Sequence, residues 1–203
     1  MSSTLRLRGA RTTFPWQALT IALPLLVAAA WLRLHGLDPA LLLRLQAAGT
    51  EAAPPLWSAL SVLGLGWSGL ILVCACDRPG NGRAIVAMLL TLPLAALCLH
   101  LGKGWLAEPR PAAVLGEPLR VLGDRLIGHS SMPSGHSLTA TAVAWLLAMA
   151  VFRARLSRLL LAAGALGVML SRVMVGAHWP ADVLVGGALG LLLASATWTA
   201  TQG

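Results

Sequence analysis

What most constrains this chain is a recurrence of charge-free apolar runs at one length. Residues 12–32 (21 residues), 52–76 (25), 84–102 (19) and 183–203 (21) contain no Asp, Glu, Lys or Arg. About 20 predominantly apolar residues cross a bilayer as a helix, and a helix satisfies its backbone polar groups internally. Only 11% of the 203 residues are charged, against about a quarter in a soluble domain. The sequence is that of an integral membrane protein. It predicts an all-α, polytopic fold, with six transmembrane helices in one bundle and short interfacial helices on one side. A single membrane-embedded domain is expected over residues 1–203.

The first helix is expected over 16–34, with Pro24 tolerated inside it. Ala28-Ala29-Ala30 would suit a signal-peptide cleavage site, but the run is long for such a signal, and an uncleaved helix is the reading taken. Asp38-Pro39 reads as a cap followed by a first-turn proline. The piece it opens ends at Gly49, too short to span, and is expected at the interface. Further helices are expected over 56–76, 84–102, 134–152, 156–175 and 180–200. A polar turn lies at 77–83. The long polar stretch 103–133 carries Leu115, Leu119, Leu122 and Leu126 at helical spacing, which predicts another interfacial helix.

The net charge of +8 does not point to nucleic acid. The basic residues punctuate apolar runs, where membrane topology and anionic lipid account for them. Cys74, Cys76 and Cys98 sit inside apolar runs and give no disulfide framework. Six helices put both termini on one side. That side holds Arg6, Arg8, Arg11, Arg78, Arg83, Arg153, Arg155 and Arg158; the other holds Arg33, Arg44, Lys103, Arg110, Arg120, Arg125 and Arg172. The first group is crowded into short turns and the N-terminal tail, where the positive-inside rule applies best. Both termini are therefore expected in the cytoplasm.

This topology brings three polar stretches to one membrane face: Lys103 to Pro111, Ser130 to Ser137, and Ser171 to Asp182. Ionisable residues at the ends of membrane segments are functional candidates. His178 and Asp182, taken alone, could equally be a buried polar pair knitting two helices. With the other stretches they gather three cations (Lys103, Arg110, Arg172), a second histidine (His136) and the helix start at Ser134-Gly135. Arginine forks, lysine and free N–H groups at a helix N-terminus all suit phosphate oxygens. No cluster of carboxylates is present to hold Mg²⁺.

Lys103-x6-Arg110-Pro111, Pro133-Ser134-Gly135-His136 and Ser171-Arg172-x5-His178-x3-Asp182 resemble the three signature motifs of the type 2 phosphatidic acid phosphatase superfamily. The resemblance implies that His178 attacks phosphorus and forms a phosphohistidine. It implies that Asp182 orients His178 and that His136 protonates the leaving oxygen. Lys103, Arg110, Arg172, Ser134 and the Gly135 N–H would hold the phosphate oxygens. It implies no metal and no cofactor. Physical chemistry agrees with these roles: a histidine nucleophile needs its tautomer fixed by a partner, and charge on equatorial oxygens favours preplaced cations.

The expected activity is metal-independent hydrolysis of a lipid phosphomonoester or lipid pyrophosphate at the extracytoplasmic face of a bacterial inner membrane. Undecaprenyl pyrophosphate, phosphatidylglycerophosphate, phosphatidic acid and lipid A phosphate are the substrates implied, with a lean to the first. Two alternatives stand beside this: a lipid phosphotransferase using the same phosphohistidine, and a non-enzymatic lipid or anion carrier. His35 and His100 are read as packing or interfacial residues, and His129 as an ordinary loop histidine. Trp105 and Trp179 fit an interfacial aromatic belt. Gly186-x3-Gly190 and Ala163-x3-Gly167-x3-Ser171 read as helix-packing stripes.

Overall fold

The computed structural model describes residues 16–49, 54–77, 82–122 and 130–202. Arg6, Arg8, Arg11, the 78–81 part of the polar turn, and Asp124, Arg125, Leu126 and His129 lie outside the described residues. The described elements are helical: α1 (Trp16–Leu34), α2 (Asp38–Gly49), α3 (Pro54–Leu63), α4 (Gly66–Cys76), α5 (Arg83–Leu106), α6 (Pro111–Leu115), α7 (Gly135–Ala150), α8 (Arg155–Met174) and α9 (Pro180–Ala200). Four of them, α1, α5, α8 and α9, are long and apolar enough to cross a membrane, and the bent pair α3–α4 makes a fifth if it is one span. Their outward faces carry Ile21, Val27, Ile71, Leu89, Leu97 and Leu160 in the open. Apolar side chains exposed on this scale suit lipid and not water. The protein is a multi-pass membrane protein.

Helix α9 is the centre. It buries thirteen of its residues, whereas α1 buries three. Its most extensive contacts are with α7 and α1. Small residues make the α7 contact possible. A Cβ on Gly186 would sit 2.3 Å from the Ser134 carbonyl oxygen, and one on Gly190 would sit 2.1 Å from that of Leu138. The two backbones are thus nearly touching, as expected for the Gly-x3-Gly stripe.

Residues 56–76 do not form one helix, contrary to the expectation from their hydropathy. The chain bends by 70° between α3 and α4. Gly64 lies at the break, where a Cβ would come within 2.7 Å of the His136 Cβ and 2.8 Å of Val168 Cγ1. Close approach to α7 and α8 therefore requires glycine here. At the bend the Val62 carbonyl accepts from both the Leu65 N–H, at 3.1 Å, and the Ser68 hydroxyl, at 2.9 Å. Among the described residues, the amphipathic helix expected at Leu115, Leu119 and Leu122 is not formed. Gly116, at φ 60°, ends the short α6 at Leu115, and 117–122 are not helical. Helix α7 is shorter than expected, ending at Ala150.

The arginine at the start of α5 marks the end of the bundle away from the polar stretches. Arg83 donates to the Trp198 carbonyl at 3.0 Å and stacks over the Trp198 ring at 3.8 Å.

Two Gly→Ala substitutions should separate packing from propensity. G190A must push α9 off α7 and should cost about 1–3 kcal/mol. G164A, with nothing within 4 Å of the new Cβ, should gain about 0.5–1 kcal/mol of helix stability. Thermal unfolding of the two variants in detergent measures both.

Candidate active site

The three polar stretches converge where α5 and α8 end and α7 and α9 begin. A tight turn joins α8 to α9. The N–H groups of Ala177 and His178 both donate to the Arg172 carbonyl, at 3.1 and 3.2 Å. Gly176 turns at φ 74°, and a Cβ there would sit 2.6 Å from the Arg120 carbonyl oxygen. Gln46, buried in α2, clamps this turn. Its amide Nε2 donates to the carbonyls of Arg120 (2.8 Å), Met174 (3.1 Å) and Val173 (3.3 Å), and its Oε1 accepts from Arg120 N–H at 3.1 Å. The last carbonyls of α8 are thereby satisfied by a residue from a distant helix.

Asp182 is fully buried in the first turn of α9. Its Oδ2 accepts from Trp179 N–H at 2.9 Å and from the Ser131 hydroxyl, and lies 3.5 Å from His178 Nδ1. The His178 contact is ionic in distance. Nδ1 is buried and makes no hydrogen bond of ordinary angle, a spacing that catalytic pairs tighten when substrate binds. Burial pushes the His178 imidazole below its ordinary pKa, with Asp182 opposing the shift. The ring is therefore neutral at neutral pH, with one nitrogen facing a carboxylate.

Arg110 sits in the loop before α6 and donates to the Ala177 carbonyl at 2.9 Å, beside the histidine turn. Burial lowers its pKa and Asp182 opposes this; it remains a cation. Arg172, in the last turn of α8, donates Nη1 to the Ser61 hydroxyl, while its buried Nε has no hydrogen-bond partner among the described residues. Lys103, in the last turn of α5, feels the charges of Arg110, Arg172 and Asp182. His136, in the first turn of α7, feels Arg172, His178, Lys103 and Arg110. All eight residues singled out from the motifs thus fall in one region. Ser134 is the α7 N-cap. Its Oγ accepts from the Ser137 hydroxyl at 3.0 Å and from Ser137 N–H at 3.5 Å, leaving its own proton to donate. Its N–H donates to the Asp182 carbonyl at 3.1 Å, tying the second stretch to the third. A cavity of about 250 Å³ opens beside His136 and Arg172, with Ser58, Ser61 and Leu65 among its walls.

Several participants carry no motif signal. Ser61 looked like a mid-helix serine; the α3–α4 bend delivers it to Arg172. Asp38 looked like the cap of its own helix. It accepts instead from Ala181 N–H at 2.9 Å and so caps α9. Burial raises its pKa. Trp179 is not in an interfacial belt: it is buried, and its indole N–H donates to the Pro109 carbonyl at 2.8 Å. Trp105 is 89% exposed and fits the belt. Arg33, counted from the sequence only as a loop charge, reaches into the site and pairs with Asp38 (2.9 Å), Asp182 (2.7 Å) and Glu108. His35 packs on the Trp31 ring at 3.9 Å.

Cations and helix N–H groups set beside an imidazole–carboxylate pair, at one end of an apolar bundle, make a site suited to a phosphoryl group. The chain belongs to the PAP2 superfamily, whose family model matches residues 84–203, more than half of its length. Among curated protein sequences none matches it significantly. Two solved structures share its fold. The crystal structure of Aquifex aeolicus LpxE aligns with TM-score 0.68 and 22% identity, over 79% of this chain and 94% of that one. The first transmembrane PAP2-type phosphatidylglycerolphosphate phosphatase from Bacillus subtilis aligns with TM-score 0.62 and 24% identity, over 90% and 94%.

Replacing Gln46 tests how the turn is held. Q46L leaves the buried Arg120, Val173 and Met174 groups short of partners and should cost about 1–3 kcal/mol, read as a lower unfolding midpoint in detergent.

Proposed function

We propose that this protein hydrolyses a lipid phosphomonoester or lipid pyrophosphate without a metal, through a phosphohistidine on His178. The observation that carries the reading is the convergence of Lys103, Arg110 and Arg172 on the two histidines. His178, held neutral by burial, attacks phosphorus through the nitrogen turned away from Asp182. The bond from phosphorus to the leaving oxygen breaks, and His136 gives that oxygen its proton. His136 then takes a proton from water, which attacks the phosphohistidine, releases phosphate and restores His178. Charge on the three equatorial oxygens is met by Lys103, Arg110, Arg172, the Ser134 hydroxyl and the Gly135 N–H. Among the described residues no three His, Cys, Asp or Glu side chains gather as a metal site; the protein's own cations supply the positive charge.

The chain crosses the membrane six times in this reading, by α1, α3–α4, α5, α7, α8 and α9, as one domain. Helix α7 has 16 residues, about 24 Å of helix, and is packed among other helices. With Arg33, Lys103, Arg110 and Arg172 all assigned to the site, the loop charges left to set orientation are eight against three. This favours cytoplasmic termini and a site facing outward from a bacterial inner membrane. An apolar cavity of about 460 Å³ between α1, α7 and α8 reaches Met169, one turn before Arg172, and suits a hydrocarbon tail. Undecaprenyl pyrophosphate and glycerophospholipid phosphates, phosphatidylglycerophosphate among them, are the substrates to assay first.

Phosphate release by the purified protein in vesicles, with EDTA present and a panel of lipid phosphates, is the direct test. H178A should release no phosphate while still folding; turnover by H178A, or loss of wild-type activity in EDTA, would refute the mechanism. The pH profile adds a second check. His178 must be neutral to attack, and burial holds its pKa below the ordinary 6.5. Activity should therefore persist below pH 6.5 and fall only as pH drops through the lowered value.

A further inference from the structure

Helix α1 ends in a guanidinium that touches three carboxylates. Arg33 Nε lies 2.9 Å from Asp38 Oδ2, Nη2 donates to Asp182 Oδ1 at 2.7 Å, and Nη1 donates to Glu108 Oε1. Asp182 is thus gripped on both oxygens. Oδ2 faces Ser131, Trp179 N–H and His178; Oδ1 faces Arg33. The Asp182 side chain has no solvent exposure, and that of Asp38 has 4%. Arg33 lies outside residues 84–203, the part matched by the family model, and none of the three motifs includes it.

We infer that Arg33 is a positioning residue for the His178–Asp182 pair, so that α1 is part of the catalytic machinery and not only an anchor. This rests on the proposal that Asp182 orients His178. The physical reason is charge. Three carboxylates around one point repel, and a buried carboxylate without a cation takes up a proton. Arg33 pins Oδ1, which leaves Oδ2 turned toward the imidazole. It also offsets part of the negative charge, so the imidazole is not driven to the cation, which cannot attack.

The charged groups facing the pair come from every neighbouring element. They are Arg33 on α1, Asp38 on α2, Lys103 on α5, Glu108 and Arg110 in the loop after it, His136 on α7 and Arg172 on α8. The cations Lys103, Arg110 and Arg172 are shared with the phosphate site. Arg33 is turned to the carboxylates, so its removal should leave phosphate binding in place.

The experiment compares kcat, KM, the inhibition constant of inorganic phosphate and the acid limb of kcat/KM in vesicles, for wild type, R33Q, E108Q and the triple variant R33Q/D38N/E108Q. R33Q should lower kcat about 100-fold and move the acid limb up by about one pH unit, with the phosphate constant within about twofold. E108Q, which leaves Arg33 fewer carboxylates to share, should move the limb down. The triple variant removes the competing carboxylates and should return the limb toward wild type. An unmoved limb in R33Q overturns the inference, and so does a lost kcat that the triple variant does not partly restore. Should R33Q fail to fold, the E108Q limb decides: a downward shift supports the inference and no shift overturns it. H178A and D182N run alongside. If these two are inactive while R33Q behaves as wild type, only the role of Arg33 fails; if they keep activity, the mechanism beneath it fails.

Discussion

A fully buried carboxylate at the start of α9 governs how this bundle is put together. A carboxylate buried in an apolar interior is costly unless donors meet both of its oxygens. Those donors arrive from three places far apart in sequence: Arg33 at the end of α1, Ser131 before α7, and the Trp179 N–H of its own helix start. Satisfying one charge therefore draws α1, the 130–134 stretch and α9 to a common point. His178 lies beside that point because the α8–α9 turn is short.

The other constraint is how closely the backbones approach. Gly186 and Gly190 let α9 lie against the backbone of α7, and Gly64 lets the α3–α4 bend reach the first turn of α7. Any side chain at these positions would hold the helices apart. The Ser134 N–H to Asp182 carbonyl contact, which couples the start of α7 to the start of α9, depends on that proximity. In a bilayer, where burying apolar surface between helices gains little, close packing of small residues and buried polar contacts do the work that a hydrophobic core does in water.

Polar clamps then fix the loops. Gln46 holds the end of α8, Asp38 caps α9, and Trp179 reaches the carbonyl of Pro109. Each joins elements that hydropathy alone would treat as independent. Together they set the cations of α5, the 107–110 loop and α8 around two histidines, a geometry suited to an oxyanion of phosphorus.

Much was legible in the sequence. The bounds of the first and last helices follow from the apolar runs and from Pro180, because a bilayer fixes helix length and proline marks a first turn. The three motifs singled out residues that the fold brings together, because cations and imidazoles are costly in such a chain and mark functional candidates. Hydropathy could not reveal the break at Gly64, since an apolar run reads the same whether straight or bent. Nor could it reveal Arg33, Asp38, Ser61 or Gln46. Each looked ordinary within its own segment: a loop charge, a local cap, a mid-helix serine, an unremarked glutamine. Their roles come from partners 74 to 149 residues away. The sequence by itself determined that the chain crosses a membrane and which residues make up the candidate site. Only the tertiary structure decided what holds the Asp182 carboxylate in place, because a buried charge is satisfied by whatever donors the fold brings within reach, and spacing along the chain does not encode that.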